Sequence, residues 1–217
     1  MASKKYGVDK MLAAIQKELE DRPIPVNKYR NVAGSGRSQT FGVVNRRCLP
    51  PDYSRQCWLR PYLYKLLLDY GREHCPIAFT SITVNQNYRA EPHRDKGNIG
   101  ESFLVSFGTY TGGNLEIHEG PLQGSHDVRT GLVADFSQML HSVSPFEGNR
   151  YSLVYYTARK AEGLPAPHVR SHEGRWKFFR GDVLCDGLPH PLKTPPETEP
   201  PEILATEPVD EEHWAYA

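Results

Sequence analysis

Five residues of this chain have the types and spacing to do chemistry together: His93, Asp95, His141, Arg150 and Ser152. Two imidazoles and one carboxylate on one face of an octahedral Fe(II) leave three open positions, which a bidentate 2-oxo acid and O2 can share. In His93-Arg94-Asp95 the outer residues leave an extended chain on the same face, while Arg94 points away. The third ligand must come from another strand. His141 lies in Asp135-Phe136-Ser137-Gln138-Met139-Leu140-His141-Ser142-Val143, an apolar-rich stretch that can place a histidine inside a barrel. Nine residues on, Arg150-Tyr151-Ser152-Leu153-Val154-Tyr155-Tyr156 alternates as a strand, with Arg150 and Ser152 on the face of Val154 and Tyr156. A buried arginine needs an anionic partner. The far carboxylate of 2-oxoglutarate is such a partner, held by the guanidinium fork with Ser152 adding a hydrogen bond. The remaining histidines sit among polar or Pro-rich neighbours, where a solvated or structural role is the default.

Strands must position these groups. The sequence predicts a helix over Val8 to Leu19, where apolar residues recur at helical spacing ahead of Pro23 and Pro25. A turn at Gly34-Ser35-Gly36 leads into a strand from Gln39 to Val44, and a second helix is expected from Arg60 to Tyr70, closing near Gly71. Short strands then follow at close spacing: Phe79 to Tyr88, Phe103 to Phe107, Asn114 to His118, Gly131 to Phe136 and Tyr151 to Tyr156. That pattern predicts a mainly β fold with flanking helices and a sandwich or jelly-roll core. Asn85 and Asn87 would share a strand face and line the pocket, offering amides to the co-substrate. Arg175 to Arg180 reads as an added edge strand on the core. One structural domain is expected: residues 1–78 supporting the core, 79–157 forming it, 158–191 packed on it, and a Pro- and Glu-rich tail at 192–217 with little to bury.

Composition bounds the class of protein. At 217 residues the chain has room for one substantial core. Its 26 basic and 26 acidic residues cancel, so no global field draws it to nucleic acid, and a local patch would have to do so. Lys28, Arg30, Arg37, Arg46, Arg47, Arg55 and Arg60 supply a basic N-terminal stretch, as a duplex-binding surface or a solvated face. The four cysteines form no Cys-x-x-Cys pair, which argues for free thiols in a reducing compartment. No apolar run approaches the ~20 residues that span a bilayer. The chain reads as a soluble intracellular protein, nuclear or cytoplasmic, with no membrane partner and nothing that calls for an oligomer.

The order His-x-Asp, His, Arg-x-Ser resembles the Fe(II)/2-oxoglutarate dioxygenases, and most closely the methylcytosine dioxygenases of the ten-eleven translocation group and the base-J-type thymine hydroxylases. The resemblance covers roughly residues 79 to 157 and rests on Pro92-His93-Arg94-Asp95-Lys96-Gly97-Asn98, on Gly108-Thr109-Tyr110-Thr111-Gly112-Gly113-Asn114-Leu115, and on Asn149 to Tyr156. It implies a double-stranded β-helix (a cupin-like jelly roll), with Fe(II), 2-oxoglutarate and O2 as cofactor and co-substrates. It also implies hydroxylation of a methyl group on 5-methylcytosine or thymine in nucleic acid, DNA favoured over RNA. In that group an asparagine three residues after the motif aspartate contacts the target base, and the matching position is Asn98. Tyr88, Tyr110 or Phe41 would stack on the extruded base, and Arg37 and Arg94 would meet phosphate. The same chemistry on a protein side chain or small molecule, and a non-catalytic jelly-roll module, are the alternative classes.

Overall fold

Leu12, Ile15 and Leu19 fall on one face of the first helix, α1 (Ser3–Asp21), and all three are buried. The computed structural model describes residues 3–26, 34–45 and 52–159, with strands at 169–170, 176–180 and 183–186. After β1 (Gly34–Val44) and β2 (Asp52–Tyr53) comes a single helical turn, α2 (Gln56–Leu59). The helix α3 (Pro61–His74) has proline in its first turn, where the missing N–H costs nothing. It runs past Gly71, where the sequence predicted its close. The reason is packing: a Cβ on Gly71 would lie 2.6 Å from Tyr155 Cε1, so this glycine lets the helix approach the sheet.

Two antiparallel sheets make the core. One has six strands in the order β2-β1-β3-β9-β4-β7, with β3 (Ser81–Ala90), β4 (Asn98–Gly112), β7 (Leu132–Ala134) and β9 (Phe146–Ala158). The other has three, β6-β5-β8, with β5 (Leu115–Ile117), β6 (Gly124–His126) and β8 (His141–Val143). The outer face of the large sheet presents Phe41, Ile82, Val84, Phe103, Val105, Leu153 and Tyr155 to α1 and α3. Its inner face joins the small sheet through Leu104, Leu115, Ile117, Ala134 and Phe136. This mainly β architecture with flanking helices matches the expected jelly roll. The strand lengths differ from the expectation, however: β5 and β7 are shorter than Asn114–His118 and Gly131–Phe136, and others are longer. β4 and β9 extend well beyond Phe103–Phe107 and Tyr151–Tyr156, and Gly34-Ser35-Gly36 belongs to β1 rather than to a turn.

The segment expected as an edge strand of the core is β11 (Trp176–Arg180), and it pairs instead with β10 (Val169–Arg170) and β12 (Val183–Asp186) in a separate three-stranded sheet. The tail at 192–217 and the basic residues Lys28, Arg30, Arg46 and Arg47 lie outside the described residues. No helix among the described residues is long and apolar enough to cross a membrane.

Candidate metal centre and co-substrate pocket

His93 and His141 meet as an antiparallel bridge. Each backbone N–H donates to the other's carbonyl at 2.9 Å, which sets the two imidazoles side by side with ring centroids 4.3 Å apart. The Asp95 N–H donates to the Phe136 carbonyl at 2.9 Å, fixing the carboxylate beside them. One ligand atom from each of His93, Asp95 and His141 lies within 4.8 Å of the others, an arrangement that can hold a metal ion. The histidine tautomers suit that task. Nδ1 of His93 is 2.7 Å from the Glu91 carbonyl and Nδ1 of His141 is 2.9 Å from the Met139 carbonyl. A carbonyl only accepts, so each Nδ1 carries the proton and each Nε2 keeps a lone pair for a cation. Burial lowers the His141 pKa, against the opposing pull of Asp95, and so favours the neutral ligand form. Phe136 packs on its ring at 4.9 Å.

The pocket beside these ligands is walled by Leu104 of β4, Leu115 of β5, Val143 of β8 and Val154 of β9, and its polar end is Asn85, Ser152 and Arg150. Alternation along β9 puts Arg150, Ser152 and Val154 on this inner face. Ser152 lies opposite Asn85 of β3 on one side and Ser106 of β4 on the other, while Asn85 lies opposite Ser38 of β1. The result is a buried polar row across four strands. Ser38 Oγ donates to Asn85 Oδ1 at 2.7 Å, and Asn85 Nδ2 donates to Ser152 Oγ at 3.2 Å.

Arg150 is 2% exposed. Its Nε donates to the Gly113 carbonyl at 3.0 Å, and the Tyr110 and Phe146 rings lie 5.5 and 5.9 Å from its guanidinium carbon. It makes no ion pair with a carboxylate among the described residues, and its Nη2 is buried without a hydrogen-bond partner. Burial lowers its pKa, yet a guanidinium stays charged. A buried cation with an unmatched N–H at the end of a pocket is a place for an anion. The donor set of the ligands and this orphaned guanidinium therefore fit Fe(II) and a dicarboxylic 2-oxo acid.

Several expected contacts are not formed. Asn87 does not share the face of Asn85. It has φ +51° and sits in a bulge where Asn87 and Tyr88 oppose the single residue Gly36 of β1, so the alternation breaks and Tyr88, not Asn87, joins the pocket. Its side chain instead accepts the Arg150 N–H at 2.7 Å. Arg37 neighbours the inward Ser38 and so points outward, donating to the Ile24 carbonyl at 2.7 Å. Phe41 lies in the helix-side core, stacked on Tyr64 at 6.0 Å. Tyr110 is buried between Arg129 and Arg150, and its hydroxyl is 2.7 Å from Ser106 Oγ, so it cannot offer a face to a base. The Arg94 guanidinium pairs with Glu119, and its Nε donates to the Gln138 carbonyl at 3.0 Å. Glu119 also accepts the Leu140 N–H at 2.7 Å, so the two clamp the loop between the ligand-bearing segments. Asn98 is buried, and its amide nitrogen donates to Asp95 Oδ2 at 3.2 Å and Ser102 Oγ at 3.4 Å, which leaves neither hydrogen for a base.

The sequence reading passed over Ser38, Ser106, Glu119 and Phe136. Serines at matching registers could have been read only with the strand pairing in hand. The glycine pair at 112–113 stands out in the sequence as a motif, while its contact with Arg150 depends on the fold.

No family model and no curated protein sequence matches the chain. Among solved structures, NgTET1 in complex with 5mC DNA aligns over 73% of this chain and 70% of its own, with a TM-score of 0.51 and 15% identity. An oxidoreductase of the 2OG-Fe(II) oxygenase family from Burkholderia pseudomallei aligns over 66% of this chain and 75% of its own at 0.42 and 16%. A Pseudomonas putida prolyl-4-hydroxylase aligns over 70% and 86% at 0.41 and 15%. The likeness is one of fold: the chain shares the architecture of NgTET1, and it is the mainly β jelly-roll fold that the resemblance implied.

Proposed function

We propose that this chain is an Fe(II)- and 2-oxoglutarate-dependent oxygenase that hydroxylates the methyl group of 5-methylcytosine or thymine in nucleic acid, DNA ahead of RNA. One observation carries the oxygenase reading: His93, Asp95 and His141 open onto the same pocket as a buried guanidinium whose Nη2 has no hydrogen-bond partner. When bound there, Fe(II) with 2-oxoglutarate and O2 supplies the oxidation, one oxygen atom entering the substrate C–H bond and the other leaving in succinate, with release of CO2. The chain supplies position. His93 and His141 present Nε2, and Asp95 presents a carboxylate. Arg150 grips the far carboxylate of the oxo acid, with Ser152 and Asn85 beside it, and the apolar wall of Leu104, Leu115, Val143 and Val154 keeps water from the reacting atoms.

The nucleobase part is supported by a fold shared with NgTET1, which was solved with 5mC DNA. A methyl group in a duplex reaches a recessed pocket only if its base leaves the stack. Tyr88 lines the pocket wall, which supports it as the ring that would stack on the base. A second reading, the same chemistry on a protein side chain or small molecule, is favoured by one observation: of the two arginines expected to meet phosphate, Arg37 is half-buried on the Ile24 carbonyl, and Arg94, at the surface, is already paired with Glu119. Nucleoside mass spectrometry separates the two after incubation of methylated DNA and RNA with enzyme, Fe(II) and 2-oxoglutarate. A hydroxymethyl pyrimidine is expected. Succinate without any modified nucleoside would overturn the nucleobase assignment, and no succinate under any condition would overturn the oxygenase.

A further inference from the structure

The two oxygens of Asp95 are held differently. Oδ1 lies 3.4 Å from His93 Nε2, on the side where the three ligands converge. Oδ2 accepts the Asn98 amide at 3.2 Å. Asn98 is itself fixed: it is 7% exposed, its backbone N–H donates to the Asp95 carbonyl at 2.9 Å, and its own carbonyl accepts Arg159 Nη2 at 3.2 Å. Arg159 reaches the same loop again, through its Nε to the Lys96 carbonyl at 3.2 Å and its N–H to the Gly97 carbonyl at 2.8 Å. Asn45 adds a bond to the Gly97 carbonyl at 3.0 Å. A four-residue turn is thus anchored at each end, with a rigid amide aimed at one carboxylate oxygen.

We propose that Asn98 is a positioning residue that keeps Asp95 a one-oxygen ligand. The terminal torsion of an aspartate is soft and roughly two-fold, so an untethered carboxylate can turn both oxygens toward a cation. A two-oxygen carboxylate would fill one of the three positions that the oxo acid and O2 require. With Oδ2 engaged by the Asn98 amide, Oδ1 alone faces the metal. The inference rests on the metal-site reading above, but not on any choice of substrate.

The test uses full-length protein stripped of metal, with Co(II) as the probe and neither 2-oxoglutarate nor nucleic acid present. Calorimetric titration gives the affinity, and the visible absorption of bound Co(II) reports its coordination number. Wild-type protein is expected to bind one Co(II). Asn98→Ala and Asn98→Leu, the second filling the volume without a donor, are expected to shift the absorption toward a higher coordination number and to change the affinity by on the order of tenfold. Unchanged affinity and spectrum in both variants would overturn the proposal, and if those variants also lost nucleobase oxidation, Asn98 would return to substrate contact. Wild-type protein that binds no Co(II) would overturn the metal site and this inference together. Should the variants misfold, the side-chain amide signals of Asn98 in 15N-labelled wild-type protein decide the matter. They should be protected from exchange and shift on Zn(II) loading, and rapid exchange with no shift would count against the tether.

Discussion

Gly113 and Arg150 touch twice. The Gly113 carbonyl accepts the arginine Nε at 3.0 Å, and its Cα lies so near that a Cβ would sit 2.8 Å from Arg150 Cδ and 2.9 Å from Nε. Gly113 also has φ +70°, a conformation that side chains disfavour. Gly113→Ala is therefore expected to displace the guanidinium and raise the apparent KM for 2-oxoglutarate, by about tenfold for each 1.4 kcal/mol lost. Metal binding should be preserved. Steady-state kinetics with varied co-substrate would show it, and an unchanged KM would mean that Arg150 does not hold the oxo acid.

Arg150→Lys tests the same pairing from the other side. Lysine keeps the charge and loses the planar fork, together with the bond to Gly113. The affinity for 2-oxoglutarate should fall by on the order of tenfold or more. An altered preference among 2-oxo acids of different length would accompany that loss, and competition assays measure both.

Asp95→Ala removes one of three ligands at a site whose geometry needs all three. Bound iron and succinate formation should both fall to background. Full activity in this variant would displace the metal centre from the position assigned to it.

Gly71 carries a prediction about stability alone. A methyl group there would lie 2.6 Å from Tyr155 Cε1 and 2.7 Å from Phe79 Cζ, two buried rings, while the Tyr155 hydroxyl is tied to the Leu67 carbonyl at 2.8 Å. Gly71→Ala should gain up to about 1 kcal/mol of helix propensity and lose about 1–3 kcal/mol to overpacking. A lowered midpoint in thermal unfolding is the expected net result.

Glu119 gives a pH dependence. The Leu140 N–H, and then Arg94, hold its carboxyl below the ordinary value of 4.5. A lowered folded value means the clamp stabilises the protein above about the ordinary value and is lost as the pH falls through the folded one. Glu119→Gln should lower the unfolding midpoint at neutral pH. The gap to wild type should narrow below about pH 4.5, which unfolding curves at two pH values would reveal.

The convergence of His93, Asp95 and His141 on the pocket of Arg150 was legible because the proposed chemistry demands particular residue types and their spacing fits strands. What escaped the sequence depended on strand pairing. The inward face of β1 follows from Ser38 lying opposite Asn85, and nothing in the sequence from Gly36 to Phe41 says which parity faces in. The polar row of Ser38, Asn85, Ser152 and Ser106 joins residues far apart in the chain. Tyr110 and Phe41 both carry a ring of the right kind for a base, and only packing decides that neither presents one. Asn98 sits where the motif implies it, but the direction of its amide was not readable from spacing.

The bulge at Asn87 gives β3 two reading frames. Up to Asn85 the odd-numbered residues share the inner face, with Asn85 in the pocket, and beyond the bulge the even-numbered Tyr88 and Ala90 line it. The extra residue acts as a frameshift that is corrected nowhere else in the strand, so the face presented by Tyr88 and Ala90 depends on the bulge staying in place. Flattening the bulge with every residue kept would send Tyr88 and Ala90 to the outside and bring Arg89 in beside the pocket, inverting the wall that a substrate meets, whereas removing Asn87 itself would leave Tyr88 and Ala90 facing in.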